Sequence, residues 1–216
     1  MTLEQEQRSI YLSYLFFTAG GLWNSLGVFP LLMQVTMPFI LVIAAAVTVY
    51  LVYPMDRRSV ISLGGILIGV WAVEALGVAT GFPFGTYMFT DQLGWSIVSV
   101  PIVIPFLRLL VIAASDAAVG HFFGRLSSVL VALVATLLTF FMEFAADSLD
   151  LWHWRTRFPP ASSYAGWFVI TLASTLLLRD TSERNTELRL PAHIYIGLVI
   201  YFCITFIGMK SGLITL

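Results

Sequence analysis

The chain has few of the residues from which soluble proteins build charged surfaces, disulfides and metal sites. Asp, Glu, Lys and Arg make up only 11% of its 216 residues, whereas a soluble domain typically carries about 25%. Cys203 is the only cysteine, which excludes a disulfide framework and a thiolate metal site. His121 and His193 are far apart in the sequence, and their spacing suggests no metal site. The formal net charge of −1 comes without a basic patch and so excludes nucleic acid as a natural partner.

What the chain has instead is hydrophobic sequence, which accounts for 59% of its residues. Runs of about 17–25 apolar residues can cross a bilayer as helices, and we count seven: 9–28, 31–53, 60–80, 97–119, 125–146, 164–180 and 191–213. The sequence therefore predicts an all-α, polytopic membrane helical bundle of about seven transmembrane helices, forming one domain over residues 1–216. Residues 1–8 are too acidic for a signal peptide, so the first span is expected to be retained.

The distribution of basic residues predicts which side of the membrane each loop faces. With seven spans, most arginines fall on the side of the N-terminus: Arg8, Arg57, Arg58, Arg125, Arg179, Arg184 and Arg189. The other side holds Arg155, Arg157 and Lys210. Because basic residues favour the cytoplasmic side, we expect a multi-pass protein of the cell (cytoplasmic) membrane with a cytoplasmic N-terminus. The loops 81–96 and 147–163 then lie together on the outer side.

Acidic residues are concentrated at the end of the fifth span. At about 100° per residue, helix offsets of 0, 4, 7 and 11 fall on one stripe, and these offsets correspond to Glu143, Asp147, Asp150 and Trp154. These residues therefore present one acidic helix face that ends in an aromatic ring. Ionisable groups are costly within a bilayer and usually face a cavity or a partner, so we expect a functional site here.

Two further ionisable residues lie within apolar spans. Glu74 is in the third span, roughly 10 Å inside the outer boundary at 1.5 Å per residue, and Trp71 shares its face one turn earlier. Arg108 is near the middle of the fourth span and could reach Glu74 or Glu143, since arginine side chains extend towards an interface. The alternative is an arginine–carboxylate pair that only fixes helix packing, because charge pairing alone does not reveal catalysis.

Aromatic and turn-forming residues fill the two loops that we expect on the outer side. The first loop contains Phe84, Tyr87, Asp91 and Trp95, and the second begins with Trp152-His153-Trp154. An aromatic belt at the membrane interface is the alternative interpretation of these rings. The carboxylates among them favour a binding site instead. We expect His153 to be a surface residue, although a role in proton transfer stays open.

With these motifs in hand, the chain resembles the carotenoid biosynthesis membrane proteins, a family that includes bisanhydrobacterioruberin hydratase and carotenoid 1,2-hydratases. One matching block comprises Glu74, Gly77, Gly81, Phe84-Gly85-Thr86-Tyr87, Leu93-Gly94 and Val100-Pro101. The other comprises Glu143, Trp152-His153-Trp154, Pro159, Ser163-Tyr164 and Trp167. The resemblance covers about residues 60–170. The chain departs from the family pattern at Phe144, where proline is usual, at Ser163, where asparagine is usual, and at Arg108, where tryptophan is usual.

The resemblance implies a carotenoid hydratase, a hydro-lyase that adds water across the terminal C1–C2 double bond of an acyclic carotenoid end and needs no cofactor. The implied partners are water, a lycopene-like or bisanhydrobacterioruberin-like carotenoid, the lipid bilayer and carotenoid-pathway enzymes. A carboxylic acid in an apolar pocket can hold a proton at neutral pH, and Glu74 is the first candidate for this acid, followed by Glu143. Asp147 or Glu143 is the candidate base, and the candidate catalytic residues are Glu74, Glu143, Asp147 and Asp91.

The residues expected to bind the substrate and to shield a carbocation are mostly aromatic, since aromatic faces attract cations. They are Trp71, Phe84, Tyr87, Trp95, Arg108, Trp152, Trp154, Tyr164 and Trp167. A lateral route from the lipid into a site in the outer half of the bilayer suits such a hydrocarbon. The competing hypotheses are a non-enzymatic carotenoid- or lipid-binding membrane protein and a small transporter, the latter expected to have broken helices near the midplane.

Overall fold

A computed structural model describes residues 2–28, 30–120, 126–156, 158–181 and 189–210 of the chain. Its helices are α1 (Leu3–Ser25), α2 (Pro30–Val52), α3 (Arg57–Thr80), α4 (Val103–Val119), α5 (Ser127–Ser148), α6 (Ala161–Thr181) and α7 (Leu190–Lys210). The predicted all-α helical bundle is thereby confirmed. His121, Arg125, Arg157, Arg184 and the side chain of Lys210, which entered the sequence predictions, lie outside the described residues. The single domain and the orientation in the membrane stay predictions.

Five of these helices, α2, α3, α5, α6 and α7, are long and apolar enough to cross a membrane. The other two differ for separate reasons. Helix α1 carries Glu4, Glu6 and Arg8 near its start. Helix α4 has only 17 residues, or about 25 Å at 1.5 Å per residue, which is short of a bilayer core of about 30 Å. The chain is a membrane protein in which longer helices surround the short helix α4.

Helix α4 is the centre of the bundle. Its residues from Val103 to Asp116 are buried except for Phe106, which is partly buried, and α2, α3, α5 and α7 all pack against it. A helix that is apolar on every side lies either in a protein core or in contact with lipid, and here the neighbouring helices cover α4. The polar exceptions on this helix therefore require partners inside the protein.

The fourth helix begins six residues later than predicted, because residues 97–102 are not helical. Strands β2 (Ser96–Ile97) and β3 (Val100–Pro101) form an antiparallel hairpin. Val98 and Ser99 connect them with positive φ angles of 53° and 60°, the conformation of a two-residue type I′ turn. Pro101 contributes to the difference, since the residue before a proline is biased away from helical angles. The start at residue 97 was wrong.

Helices α1 and α7 pack side by side through a series of polar contacts. Near the start of both helices, Glu6 Oε1 accepts hydrogen bonds from the backbone N–H groups of Arg189 (2.5 Å) and Leu190 (3.2 Å). Further along, Asn24 Nδ2 donates to the hydroxyl of Tyr201 at 2.6 Å. Partners advance in the same direction along both helices, so α1 and α7 run parallel. In a series of seven helices that each run opposite to the one before, the chain reverses direction six times between α1 and α7. Six reversals leave the first and the last helix parallel, as observed.

The two aromatic loops meet in a second two-stranded sheet. This agrees with the prediction that loops 81–96 and 147–163 lie together. Strand β1 (Tyr87–Phe89) pairs antiparallel with β4 (Trp152–Trp154), with Tyr87 opposite Trp154 and Phe89 opposite Trp152. Backbone bonds from Thr90 N–H to the Leu151 carbonyl (3.1 Å) and from Arg155 N–H to the Thr86 carbonyl (3.0 Å) extend the pairing. Since strand side chains alternate between faces, the four aromatic rings share one face of this sheet.

The predicted acidic stripe from Glu143 to Trp154 was wrong, because α5 ends at Ser148. Asp150 adopts a positive φ of 55°, a conformation that aspartate tolerates better than most residues. This turn reverses the chain so that β4 returns towards β1. Only Glu143 and Asp147 of the predicted stripe are helical.

The reverse face of this sheet carries His153, as the prediction of a surface histidine stated. Its Nδ1 lies 3.0 Å from Asp147 Oδ1 and its Nε2 lies 2.6 Å from Asp150 Oδ1. Hydrogen bonds to these two carboxylates raise the pKa of His153 above its ordinary value. The histidine therefore ties β4 to the end of α5 on the side opposite the aromatic rings.

Gly77 is the position on α3 where the first aromatic loop packs most closely. A Cβ atom at this position would lie 2.7 Å from Cδ2 of Phe84 and 3.0 Å from the hydroxyl oxygen of Tyr87. At Gly65, twelve residues earlier on the same helix, a Cβ would meet no described atom within 4 Å. The loop can pack this closely against α3 only because Gly77 has no side chain.

We predict that Gly77→Ala destabilises the protein, by about 1–3 kcal/mol as is usual when a close-packed site is overfilled. Gly65→Ala is the matched control. It should be neutral or stabilising by up to about 1 kcal/mol, since alanine favours helices more than glycine does. Thermal unfolding in detergent, followed by circular dichroism, compares the two. Equal stabilities of the two variants would contradict the packing described here.

We predict that His153 makes the stability depend on pH. Because the pKa of His153 is raised in the folded state, its stabilising effect is complete below the ordinary histidine pKa of about 6.5 and is lost as the pH rises through the raised value. Thermal unfolding between pH 6 and pH 9 should show this fall for the natural protein and a smaller fall for His153→Gln. Asp147→Asn, which removes one partner, should move the fall to lower pH. Unchanged pH profiles in both variants would disprove the coupling.

Candidate active site

A small cavity lies at the end of the bundle where the aromatic sheet packs on the helices. Its volume is about 10 Å³, which is about the space that the centre of one buried water needs. Helices α3, α4, α5 and α6, both strands of the aromatic sheet and the loop before them surround it. The residues that line it are Glu74, Phe84, Tyr87, Phe89, Arg108, Glu143, Trp152, Trp154 and Trp167.

The two glutamates of this cavity come from different helices and are both buried. Glu74 of α3 is 1% exposed and Glu143 of α5 is 7% exposed. Each lies five or six residues before the end of its helix, or about 8–9 Å along the axis. The two carboxyl groups therefore lie at about the same distance from this end of the bundle.

Each glutamate accepts hydrogen bonds from aromatic side chains of the sheet. The hydroxyl of Tyr87 donates to Glu74 Oε2. The indole Nε1 groups of Trp152 and Trp154 both donate to Glu143 Oε2, each at 2.9 Å. The alternation of side chains along β1 and β4 places all three donors on the cavity side. Strand pairing and carboxylate binding therefore depend on each other.

Arg108 supplies the positive charge of the cavity and is only 6% exposed. Its Nε lies 3.7 Å from Glu74 Oε1, within ion-pair distance but without a hydrogen bond. Its Nη1 donates to the Thr139 hydroxyl at 3.4 Å. The guanidinium carbon lies 3.5 Å from the centroid of the Trp167 ring, a cation–π arrangement. Of the two partners that the sequence left open, Glu74 is the one in contact.

Aromatic rings form a continuous wall around these charges. The Phe84 ring stacks on Trp167 at 4.7 Å with an angle of 9° between the planes. Tyr87 lies 4.9 Å from Trp154, and Phe89 lies 6.0 Å from Trp152. These rings exclude solvent, so the charges of the cavity interact in surroundings of low polarity, where electrostatic effects are stronger than in water.

Several predicted site residues lie outside the cavity. Asp147 is 74% exposed and contacts His153, and Asp91 is an exposed residue of a short 3-10 helix. Trp95 is 87% exposed. Tyr164 is half-buried on α6, 6.0 Å from the Phe140 ring. Trp71 lines a separate apolar groove between α3 and α4.

Sequence reasoning missed two residues of the site, Phe89 and Thr139. Phe89 stands two positions after Tyr87, so Tyr-x-Phe mirrors Trp-x-Trp, and this period of two was the available signal for paired strands. Thr139 lies four residues before Glu143, a spacing that places both on one face of α5. Its hydroxyl accepts from Arg108 and donates to the Ala135 carbonyl at 3.0 Å.

A second buried ion pair, near the other end of α4, has a structural explanation. The hydroxyl of Tyr53 donates to Asp116 Oδ2 at 2.9 Å, and Arg179 Nη2 lies 3.8 Å from Asp116 Oδ1. Arg179 Nη2 also donates to the carbonyl of Gly120 at 3.1 Å, just beyond the end of α4. Asp116 is buried and helps to join α2, α4 and α6.

The cavity has the groups for acid–base chemistry rather than for metal binding. Among the described residues, no three His, Cys, Asp or Glu side chains are placed to bind a metal ion. Two carboxyl groups, one cation and space for a water are enough to donate a proton, to remove one and to hold a water in between.

Comparisons with known proteins identify the family of the chain. The family model of carotenoid biosynthesis proteins matches residues 35–214, which include every residue of the cavity. Bisanhydrobacterioruberin hydratase of Haloarcula japonica is 28% identical over 137 residues, an alignment that covers 58% of this chain and 47% of the relative. The chain thus spans about half the length of that relative. No solved structure matches the chain. Because the family model matches well over half of the sequence, the chain belongs to the carotenoid biosynthesis protein family.

Proposed function

We propose that this protein is a carotenoid hydratase that adds water across the terminal C1–C2 double bond of an acyclic carotenoid end. The observation that carries the proposal is the pair of buried carboxyl groups, Glu74 and Glu143, lining one cavity with room for a single water. The similarity to a bisanhydrobacterioruberin hydratase supports the reaction class. The distribution of arginines supports a site in the outer half of the cell membrane.

The charges of the cavity favour a state with one shared proton. Arginine is always protonated in proteins, so Arg108 contributes one positive charge. Two ionised glutamates beside it would leave a net negative charge in an apolar site, which is costly. If Glu74 and Glu143 hold one proton between them, the cavity is neutral. One carboxyl group is then an acid and the other a base.

We assign the proton to Glu143 and the negative charge to Glu74. An opposite charge within about 4–6 Å favours an ionised carboxylate, and Arg108 contacts Glu74 at 3.7 Å. Glu143 accepts both indole hydrogen bonds on Oε2, and its Oε1 makes no hydrogen bond with the described residues. Oε1 is therefore available to carry a proton. This assignment reverses the order of candidates that the sequence suggested.

The reaction then proceeds in two steps. The proton on Glu143 is transferred to C2 of the terminal double bond, where the π electrons form the new C–H bond and leave a tertiary carbocation at C1. The oxygen of the cavity water donates a lone pair to C1 and forms the C–O bond, while Glu74 takes one water proton. The product is a tertiary alcohol, and return of the proton from Glu74 to Glu143 restores the site.

The aromatic wall stabilises the carbocation between these steps. Ring faces carry negative electrostatic potential and attract cations. Trp167 is already covered by the guanidinium of Arg108, so the faces left for the substrate belong to the sheet. Tyr87, Phe89 and Trp154 are the rings that we propose for this role.

A carrier or carotenoid-binding protein is a weaker explanation of the cavity. Binding a hydrocarbon requires apolar surface, whereas two buried carboxyl groups and a buried arginine each carry a desolvation cost. A transporter would be expected to use broken helices near the midplane. The described parts of α3 and α5 are continuous through the level of the glutamates.

We predict that Glu143→Gln and Glu74→Gln each reduce hydration by about 10²–10⁴-fold, the usual contribution of an acid or base. Glutamine keeps the size and the hydrogen-bonding oxygen but cannot exchange a proton. Hydration is measured as the mass increase of one water in a lycopene-producing cell or with purified protein. Asp147→Asn is the matched control, since Asp147 lies outside the cavity, and it should retain activity. Full activity in both glutamine variants would remove the assignment.

We predict that Arg108 is needed for stability through its charge. Arg108→Met leaves buried carboxylates without a cation, and breaking a buried pair typically costs about 3–5 kcal/mol. The double variant Arg108→Met/Glu74→Gln removes the unpaired charge and should recover most of the stability without recovering activity. Thermal unfolding in detergent measures the first effect and turnover measures the second. If the double variant is no more stable than Arg108→Met, the guanidinium stabilises the protein by packing rather than by charge.

A further inference from the structure

The cavity between the glutamates is too small to hold the polyene chain of a hydrocarbon substrate. At about 10 Å³ it has room for one water. If the proposed function is correct, the carbon chain of the substrate must lie outside the cavity and still reach it. The surface next to the cavity therefore has to provide a separate binding site for that chain.

An apolar groove of about 310 Å³ lies beside the site. Helix α3, the β2–β3 hairpin and helix α4 form its walls, and every lining residue is apolar. Its principal lining residues are Ile68, Trp71, Ile97, Ile102, Pro105 and Phe106. Ile68, Ile97 and Ile102 are exposed, so a molecule dissolved in the lipid can enter the groove from the side.

The groove and the cavity are adjacent on two helices. Trp71 lies three residues before Glu74 on α3, and Pro105 lies three residues before Arg108 on α4. Three residues are about one helical turn. Trp71 borders the groove, and its buried Nε1 has no hydrogen-bond partner among the described residues. A chain in the groove would thus end about one turn from the carboxyl group of Glu74.

The exposed face of α3 extends this groove away from the cavity. Gly64 lies four residues before Ile68 and seven residues before Trp71, so all three lie on one face of α3. A Cβ at Gly64 would meet no described atom within 4 Å, so the helix surface is indented there. Gly64 lies ten residues before Glu74, or about 15 Å along the axis. The indentation is open to an elongated apolar molecule.

We propose that this groove, continued along α3 past Gly64, holds the polyene chain of the carotenoid substrate while its end group reaches the glutamates. The inference rests on the proposed function and adds the position of the chain. A polyene suits the site because it is rigid, apolar and elongated, and because its terminal double bond is the group on which the neighbouring acids act. Water and hydrocarbon then reach the carboxyl groups from different spaces.

The test measures binding separately from turnover. Lycopene is added to the protein in phosphatidylcholine nanodiscs, and the induced circular dichroism in the polyene absorption bands reports a chain held in a chiral site. Ile102→Trp fills the groove and Gly64→Leu fills the indentation. Each should weaken the signal and raise KM by at least about tenfold, the effect of losing about two methylene contacts, with kcat little changed. Val169→Trp and Ala173→Leu, on the exposed face of α6, are the matched controls and should bind normally.

The outcomes separate this inference from the proposed function. A signal that is lost in Ile102→Trp supports the groove even if no variant hydrates lycopene, in which case only the hydratase proposal fails. Hydration with an unchanged KM in Ile102→Trp and Gly64→Leu would overturn the groove while the hydratase proposal stands. No induced signal in the natural protein, as expected if a lipid acyl chain fills the groove, would also overturn it. A change of oligomeric state in Gly64→Leu with normal lycopene binding would assign the face around Gly64 to a second copy of the chain.

Discussion

The burial of Arg108 in the central helix is the constraint on which the rest of this end of the molecule depends. A guanidinium in an apolar bundle is stable only if other groups balance its charge and occupy its hydrogen bonds. Helix α3 supplies Glu74, α5 supplies Thr139 and α6 supplies the Trp167 ring. Three helices are thus held against α4 by one side chain. The second carboxyl group, on Glu143, cannot be balanced by the same cation, and a shared proton is the simplest way to keep the site neutral.

The aromatic sheet follows from a second constraint, that backbone groups away from water must find partners within the protein. Strands β1 and β4 satisfy each other's backbone groups, and their alternation points Tyr87, Trp152 and Trp154 at the glutamates. A strand pair achieves this better than a helix, because every second side chain faces the same way. Gly77 completes the arrangement by leaving room for Phe84 and Tyr87 against α3.

The sequence was sufficient for the bundle and for most of the charged centre, but not for the sheet. Long apolar runs predict helices whatever their neighbours, and Glu74, Arg108 and Glu143 were recognisable because charge is rare in such runs. The pairing of Tyr87 with Trp154 depends on two segments 67 positions apart, and three-residue strands carry too weak a period to be read alone. The helical stripe through Asp147 and Asp150 failed for a local reason, since a turn at Asp150 ends the periodicity. Asp147 consequently faces His153 and not the cavity.

The volume of the cavity connects the charge balance with the chemistry. Space for one water supplies the nucleophile for one addition, while the rings around it keep out the further water that would solvate and ionise Glu143. The same low polarity that holds a proton on a carboxylic acid strengthens the attraction between a carbocation and a ring face. It also makes the ionised partner, Glu74, dependent on Arg108. If bulk water filled the site, Glu143 would ionise and could no longer act as the acid. The reaction we propose therefore requires separate spaces for the single water and for the hydrocarbon.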